Sequence, residues 1–144
     1  MKRALLILVI FCTARLCGQE PTASFRAVDI FIDSGNQPLA AYQLTFRSTN
    51  GSVRIVGIEG GEHSAFAEPP YYDTQAMQKD HVIIAAFNTA TADQLPSGRT
   101  RIATIHIQMQ SGQAPAYIAQ VSAAAGTDGK RISVKVNLEE RTAR

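Results

Sequence analysis

Val28 to Phe46 reads VDIFIDSGNQPLAAYQLTF, a strand, a turn and a second strand. Val28, Ile30 and Ile32 alternate with Asp29, Phe31 and Asp33, which puts three aliphatic side chains on one face of a pleated strand. Ser34-Gly35-Asn36-Gln37-Pro38 is dense turn chemistry: Gly35 and Asn36 tolerate positive φ, and Pro38 cannot continue a ladder. Ala40, Tyr42, Leu44 and Phe46 then alternate with Ala41, Gln43, Thr45 and Arg47. Two amphipathic strands this close cannot bury their apolar faces by themselves. They require a second layer, and the strands that follow can supply it.

Those later strands have the same character. Thr49-Asn50-Gly51-Ser52 is a hairpin-type turn, Asn-Gly between alternating runs being a strong signal, and Val53 to Ile58 is a third strand. From Glu59 to Asp80 the chain loses periodicity. Pro69-Pro70 forbids regular structure there, and Thr74 to Lys79 is long enough for one helical turn. His81 to Asn88, HVIIAAFN, is almost continuously apolar, the pattern of a strand buried on both faces or of one crossing the sandwich centre. Thr100 to Gln110 alternates cleanly, with Ala103, Ile105, Ile107 and Met109 on one face and Thr104, His106, Gln108 and Gln110 on the other. Ser111 to Pro115 turns the chain. Tyr117, Ala119, Val121 and Ala123 form a strand of mostly small residues. Gly126-Thr127-Asp128-Gly129 places Asp-Gly at a hairpin position, and Ile132, Val134, Val136 and Leu138 close the fold. The expectation is an all-β domain, a β-sandwich of jelly-roll type with about seven to nine strands and no long helix. Ile30, Leu44, Ile105 and Val134 are expected in its core.

The chain of 144 residues suits one domain with one core. Its first eighteen residues read as a separate object. Lys2 and Arg3 form a positive n-region, and Ala4 to Cys12 is an unbroken apolar run too short to span a bilayer, as in a secretory signal peptide. Cleavage after Gly18 or after Ala14 is expected; the alternatives are an uncleaved anchor or a buried strand, and Lys2-Arg3 argues against the strand. Residues 19–24 are then a short leader, 25–139 the sandwich and 140–144 a charged tail. Cleavage before Gln19 removes Cys12 and Cys17, both of the chain's cysteines, so no disulfide is expected. Lys2, Arg3 and Arg15 leave with them. Lys+Arg falls from 14 to 11 against 12 Asp+Glu, and the formal charge moves from +2 to −1. The basic balance of the whole chain is therefore no argument for nucleic acid. The expected location is secreted, periplasmic or at the cell surface, with no membrane span after cleavage. Ala14-Arg15-Leu16 before Cys17 fits a lipoprotein acceptor site poorly.

The order of these elements resembles the cohesin family, the nine-stranded jelly-roll modules of bacterial cellulosomes. VDIFIDSGNQPLAAYQLTF, with Ala41-Tyr42-Gln43-Leu44 in its second half, is similar to the first cohesin strands. VRIVGIEGG resembles the strand that runs into a glycine-bearing loop. Leu95-Pro96-Ser97-Gly98 followed by RTRIATIHIQMQ resembles a later loop and strand, and Ala123 to Ile132 the closing Ala-rich, Asp-Gly turn. The resemblance covers Val28 to Leu138 and implies a non-catalytic module that binds another protein. Cohesins sit as repeats in long scaffold chains, whereas this sequence holds a single copy, without dockerin-like calcium loops. Fold similarity does not by itself carry dockerin binding across.

No Ser-His-Asp order, phosphate loop or pair of glycosidase carboxylates stands out, and no cofactor, metal site or catalytic residue is expected. Glu62, His63, Glu68, Asp73, Asp80 and His81 cluster around Pro69-Pro70, but without His-Glu-x-x-His spacing or a cysteine ligand; a solvated loop accounts for them. His106 falls on a polar strand face. Asp128-Gly129 supplies one acidic residue where calcium needs six to eight oxygens. Tyr71 and Tyr72 are the main ligand candidates, with His63 and Glu68 beside them, because flat rings on a loop stack on sugars or anchor a protein. Phe66, Tyr71, Tyr72 and Met77 also predict that Gly60 to Asp80 is ordered over one end or edge of the sandwich, with Phe66 buried and at least one tyrosine exposed. Two functions follow: an interaction module for an extracellular or cell-surface protein, or a carbohydrate-binding module for a polysaccharide.

Overall fold

A computed structural model describes residues 23–51, 53–110 and 114–141. The expected signal peptide, with Cys12 and Cys17, lies outside these residues, as do 19–22 of the leader and 142–144 of the tail. Eight strands follow one another: β1 (Ala23–Asp33), β2 (Ala41–Ser48), β3 (Val53–Gly60), β4 (Tyr71–Tyr72), β5 (His81–Phe87), β6 (Arg99–Gln110), β7 (Tyr117–Ala125) and β8 (Lys135–Arg141). Among the described residues the helical content is three single 3-10 turns, at Ser64–Phe66, Thr74–Ala76 and Ala92–Gln94. β1 begins two residues before the expected Phe25, and β8 takes up Glu140 and Arg141, the start of the expected tail.

The strands form two antiparallel four-stranded sheets, ordered β3-β6-β1-β8 and β4-β5-β2-β7. First pairs with last, second with seventh, third with sixth and fourth with fifth. This is the pairing of a long hairpin rolled onto itself, the topology of a jelly roll. It corrects the reading of two turns. Asn50-Gly51 does not join a hairpin: β2 and β3 lie in different sheets. Gly51 at φ +65° carries the chain across, and Asn50 Nδ2 donates to the Ala114 carbonyl at 2.9 Å. The Asp128-Gly129 turn closes one bridge, Ala125 to Arg131, before the chain leaves for the other sheet.

The core lies between the sheets. Val28, Ile30 and Ile32 of β1, Leu44 and Phe46 of β2, and Ile105 and Ile107 of β6 are fully buried, as their alternation requires. Val134 is only half-buried, since it precedes β8 in an open stretch at one side of the sandwich. Three bulges alter the simple alternation. Val56 is an extra residue opposite β6, so Ile55 and Ile58 both face inward. Ile102 is extra opposite β1, so Ile102 and Ala103 are both buried. Ser122 is extra opposite β2, and the shift turns Ala123 outward and Ala124 inward, ending the alternation of Tyr117, Ala119 and Val121.

β5 also departs from expectation. It is not buried on both faces: Val82 and Ile84 point inward, while Ile83 and Phe87 are exposed. A run apolar on both sides gives no periodic sign of which side the core will take.

The stretch from Gly60 to Asp80 is ordered, folded back on the end of the sandwich. A side chain at Gly60 would place its Cβ 2.0 Å from the Ala67 carbonyl oxygen, so only glycine lets the loop return this closely. Gly61 N–H donates to the Phe66 carbonyl at 2.7 Å. Phe66 is buried, edge-on to Tyr42 with ring centroids 5.3 Å apart, and Tyr42 in turn donates to the Ile102 carbonyl at 3.2 Å. Further on, Gln78 and Lys79 run along β3, Gln78 N–H donating to the Ile55 carbonyl and Ile55 N–H to the Lys79 carbonyl, both at 2.8 Å.

Candidate functional site

The two outer faces of the sandwich differ in chemistry. On the β3-β6-β1-β8 sheet, outward side chains are charged and bonded to one another. Asp29, at the centre of β1, accepts from both Arg141 nitrogens at 2.6 Å and from the Thr104 hydroxyl at 2.6 Å. Thr104 Oγ1 accepts in turn from Arg101 at 2.9 Å. Burial pushes the Asp29 carboxyl up, but the Arg141 and Thr104 hydrogen bonds and the Arg141 charge outweigh it, and the group is held below its ordinary value. Arg99 lies over the Phe31 ring at 3.5 Å and reaches Glu139 at 2.5 Å. His106, placed by sequence on the polar face of its strand, is half-buried there beside Gly57, where an added Cβ would meet it at 3.4 Å, and its Nε2 lies 3.0 Å from Glu59 Oε1. Most charged groups of this face are bonded to one another, while the buried His106 Nε2 makes no well-aligned hydrogen bond.

The outer face of β4-β5-β2-β7 carries few charges. Register fixes its rows: Tyr71 of β4 lies beside Ala85, Ala85 beside Gln43, and Gln43 beside Ala123. Phe87 lies beside Ala41 and Ile83 beside Thr45. Tyr71 is 71% exposed, Phe87 65% and Ile83 55%. The rings of Tyr71 and Phe87 lie nearly parallel, 13° apart with centroids at 6.2 Å. The result is an apolar ridge along β4 and β5, flanked by the small and uncharged Ala41, Gln43 and Thr45. Arg47 and His81 mark one end of this face.

Of the four residues picked out by sequence, only Tyr71 belongs to this ridge. Tyr72 is half-buried and packs against the core, as strand alternation demands of its neighbour. His63 caps the turn at Ser64–Phe66, its Nδ1 accepting from Ala65 N–H at 3.2 Å. It lines a shallow depression with Ala65, Asn88, Ala90, Asp93 and Gln94. Glu68 is exposed on the loop before Pro69. The wider acidic and imidazole cluster is spread over local tasks: Glu62 accepts from Arg101 N–H, Asp73 from Gln75 N–H, and Asp80 bonds His81. Among the described residues no three His, Cys, Asp or Glu side chains come together to hold a metal ion. Phe87 and Ile83 were the residues missed. The signal available was an aromatic and an aliphatic at even spacing on β5, on the face opposite Val82 and Ile84.

No helix among the described residues is long and apolar enough to cross a membrane. No family model, curated protein or solved structure matches the chain.

Proposed function

We propose that this chain is a non-catalytic module, exported from the cell, that binds another extracellular or cell-surface protein through the outer face of β4-β5-β2-β7. The observation that carries the reading is the ridge of Tyr71, Phe87 and Ile83, three large apolar side chains left in water on a flat face. Leaving such area exposed costs about 25 cal/mol per Å², and a contiguous apolar patch rimmed by polar residues is the usual mark of a docking surface. The resemblance of Val28 to Leu138 to cohesins supports a protein as the partner. Lys2-Arg3 followed by the apolar Ala4 to Cys12 supports export.

The nearly parallel Tyr71 and Phe87 rings favour a second reading, a platform for sugar rings. Ile83 separates the two, because an aliphatic side chain contributes to protein packing and little to sugar stacking. The test is capture of partners from the native extracellular fraction beside retention on insoluble polysaccharides, using wild type, Phe87→Asp and Ile83→Asp. A protein retained by wild type and lost by both variants supports the first reading. Polysaccharide retention lost in Phe87→Asp and kept in Ile83→Asp supports the second. Binding untouched by either substitution refutes both.

A further inference from the structure

Each sheet ends in two edge strands, and an edge offers unpaired N–H and C=O groups to any extended chain. Three of the four edges are blocked or short. Gln78 and Lys79 bond both backbone groups of Ile55 on β3. β4 has two residues. On β7, the Ser122 carbonyl accepts from Arg131 and the Ala124 carbonyl from Ile132 N–H, both at 3.0 Å. β8 is different. It has seven residues, no proline, and an unbroken register with β1. Among the described residues no loop backbone group bonds its outer side. Beside it, where the two sheets part, Val121, Val134, Val136 and Leu138 are left half-buried.

We propose that β8 pairs with β8 of a second copy of this chain, antiparallel, about a two-fold axis at Asn137. The pattern Lys135-Val136-Asn137-Leu138-Glu139 is complementary to itself in this register. Lys135 lies opposite Glu139 of the second copy, whose other carboxylate oxygen remains open, among the described residues, beside its 2.5 Å contact with Arg99 in its own protomer; Asn137 lies opposite Asn137, and Val136 opposite Leu138. Opposite charges facing across a ladder stabilise it, and like charges destabilise it. The neighbouring registers lack this match. An axis at Leu138 sets Lys135 against Arg141, and an axis at Glu139 sets that carboxylate against itself. An axis at Val136 makes no ion pair. Glu140 is bonded to Arg26 and Tyr117 of its own protomer, so the charges left to meet across the contact are those of Lys135 and Glu139. The contact joins the two first sheets into one and covers part of the half-buried row beside β8. It uses an edge and not the apolar ridge, so it stands or falls separately from the binding reading above.

Sedimentation of the full chain at high micromolar concentration is expected to show a dimer, and a monomer overturns the proposal. Lys135→Glu is expected to weaken self-association about tenfold, and Lys135→Glu with Glu139→Lys to restore it, as two charge pairs are broken and remade. Circular dichroism identifies any variant that has lost its fold. Asn137→Cys, in a chain with Cys12→Ser and Cys17→Ser, is expected to give a disulfide-linked dimer on mild oxidation. Directly opposed residues in an antiparallel pair have Cα separations within the range a disulfide spans. Lys135→Cys in the same background is expected not to, since Glu139 stands opposite. A dimer abolished by Phe87→Asp and indifferent to Lys135→Glu assigns the association to the ridge and refutes the edge.

Discussion

Asp29 shows how one buried charge can organise a face. It accepts three hydrogen bonds from Arg141 and Thr104, and these bonds hold it ionised. Its folded value lies below the unfolded one, so the stability it contributes is present above the unfolded pKa and is lost as pH falls through the folded pKa. Asp29→Asn is expected to cost about 1–3 kcal/mol near neutral pH, by leaving the Arg141 guanidinium and Thr104 without their acceptor. Urea midpoints measured from neutral pH down into the acid range should converge for wild type and variant; equal midpoints at neutral pH would show the network to be idle. Gly60 is a steric counterpart. Gly60→Ala drives its Cβ into the Ala67 carbonyl, and a melting temperature unchanged from wild type would contradict the close return of the loop.

Among the elements, β1, β2 and β6 were legible because each has one apolar and one polar face. Ile30, Leu44 and Ile105 sit where alternation puts them. Truncation of each to alanine is expected to cost on the order of 2–4 kcal/mol, through lost burial and a cavity. Val134→Ala is expected to cost about 1 kcal/mol or less, since that side chain keeps contact with water in the folded state. Denaturation midpoints on the four variants check the ranking. The alternation of Tyr117, Ala119, Val121 and Ala123 breaks at its last member because a bulge is a property of two strands: Ser122 is extra only relative to β2, and nothing in its own segment announces that. Phe87 and Ile83 were hidden for a related reason, since only pairing with β2 decides which side of β5 is covered. Asn50-Gly51 specified a tight reversal correctly, but a reversal can as well cross between sheets as join two strands of one.

At the scale of the molecule, the sandwich presents one face most of whose charges are paired with each other and one whose rings are exposed. Tyr71→Ala is expected to leave stability within about 0.5 kcal/mol of wild type, as surface substitutions do, while weakening partner binding. Tyr72→Ala is expected to lower the melting temperature, because its ring packs on the core. Thermal melts beside binding isotherms separate the two, and a Tyr71→Ala variant that unfolds would remove the ridge from consideration as a site. Tyr71 was readable as a candidate because two rings beside two prolines are conspicuous. The rest of the ridge required the topology, since β4 reaches Phe87 only by pairing with β5.

The pairing of first strand with last also governs the order of events as the chain folds. β1 lies between β6 and β8, so the earliest strand to be synthesised gains neither neighbour until most of the chain exists. Each of those contacts requires closure of a long loop before any ladder bond rewards it, and topologies of this kind fold in milliseconds to seconds, more slowly than helical bundles. A chain ending before Lys135 would leave β1, with Ile30 and Ile32, as a bare edge. Completion of the first sheet is therefore a late event that waits on the final strand.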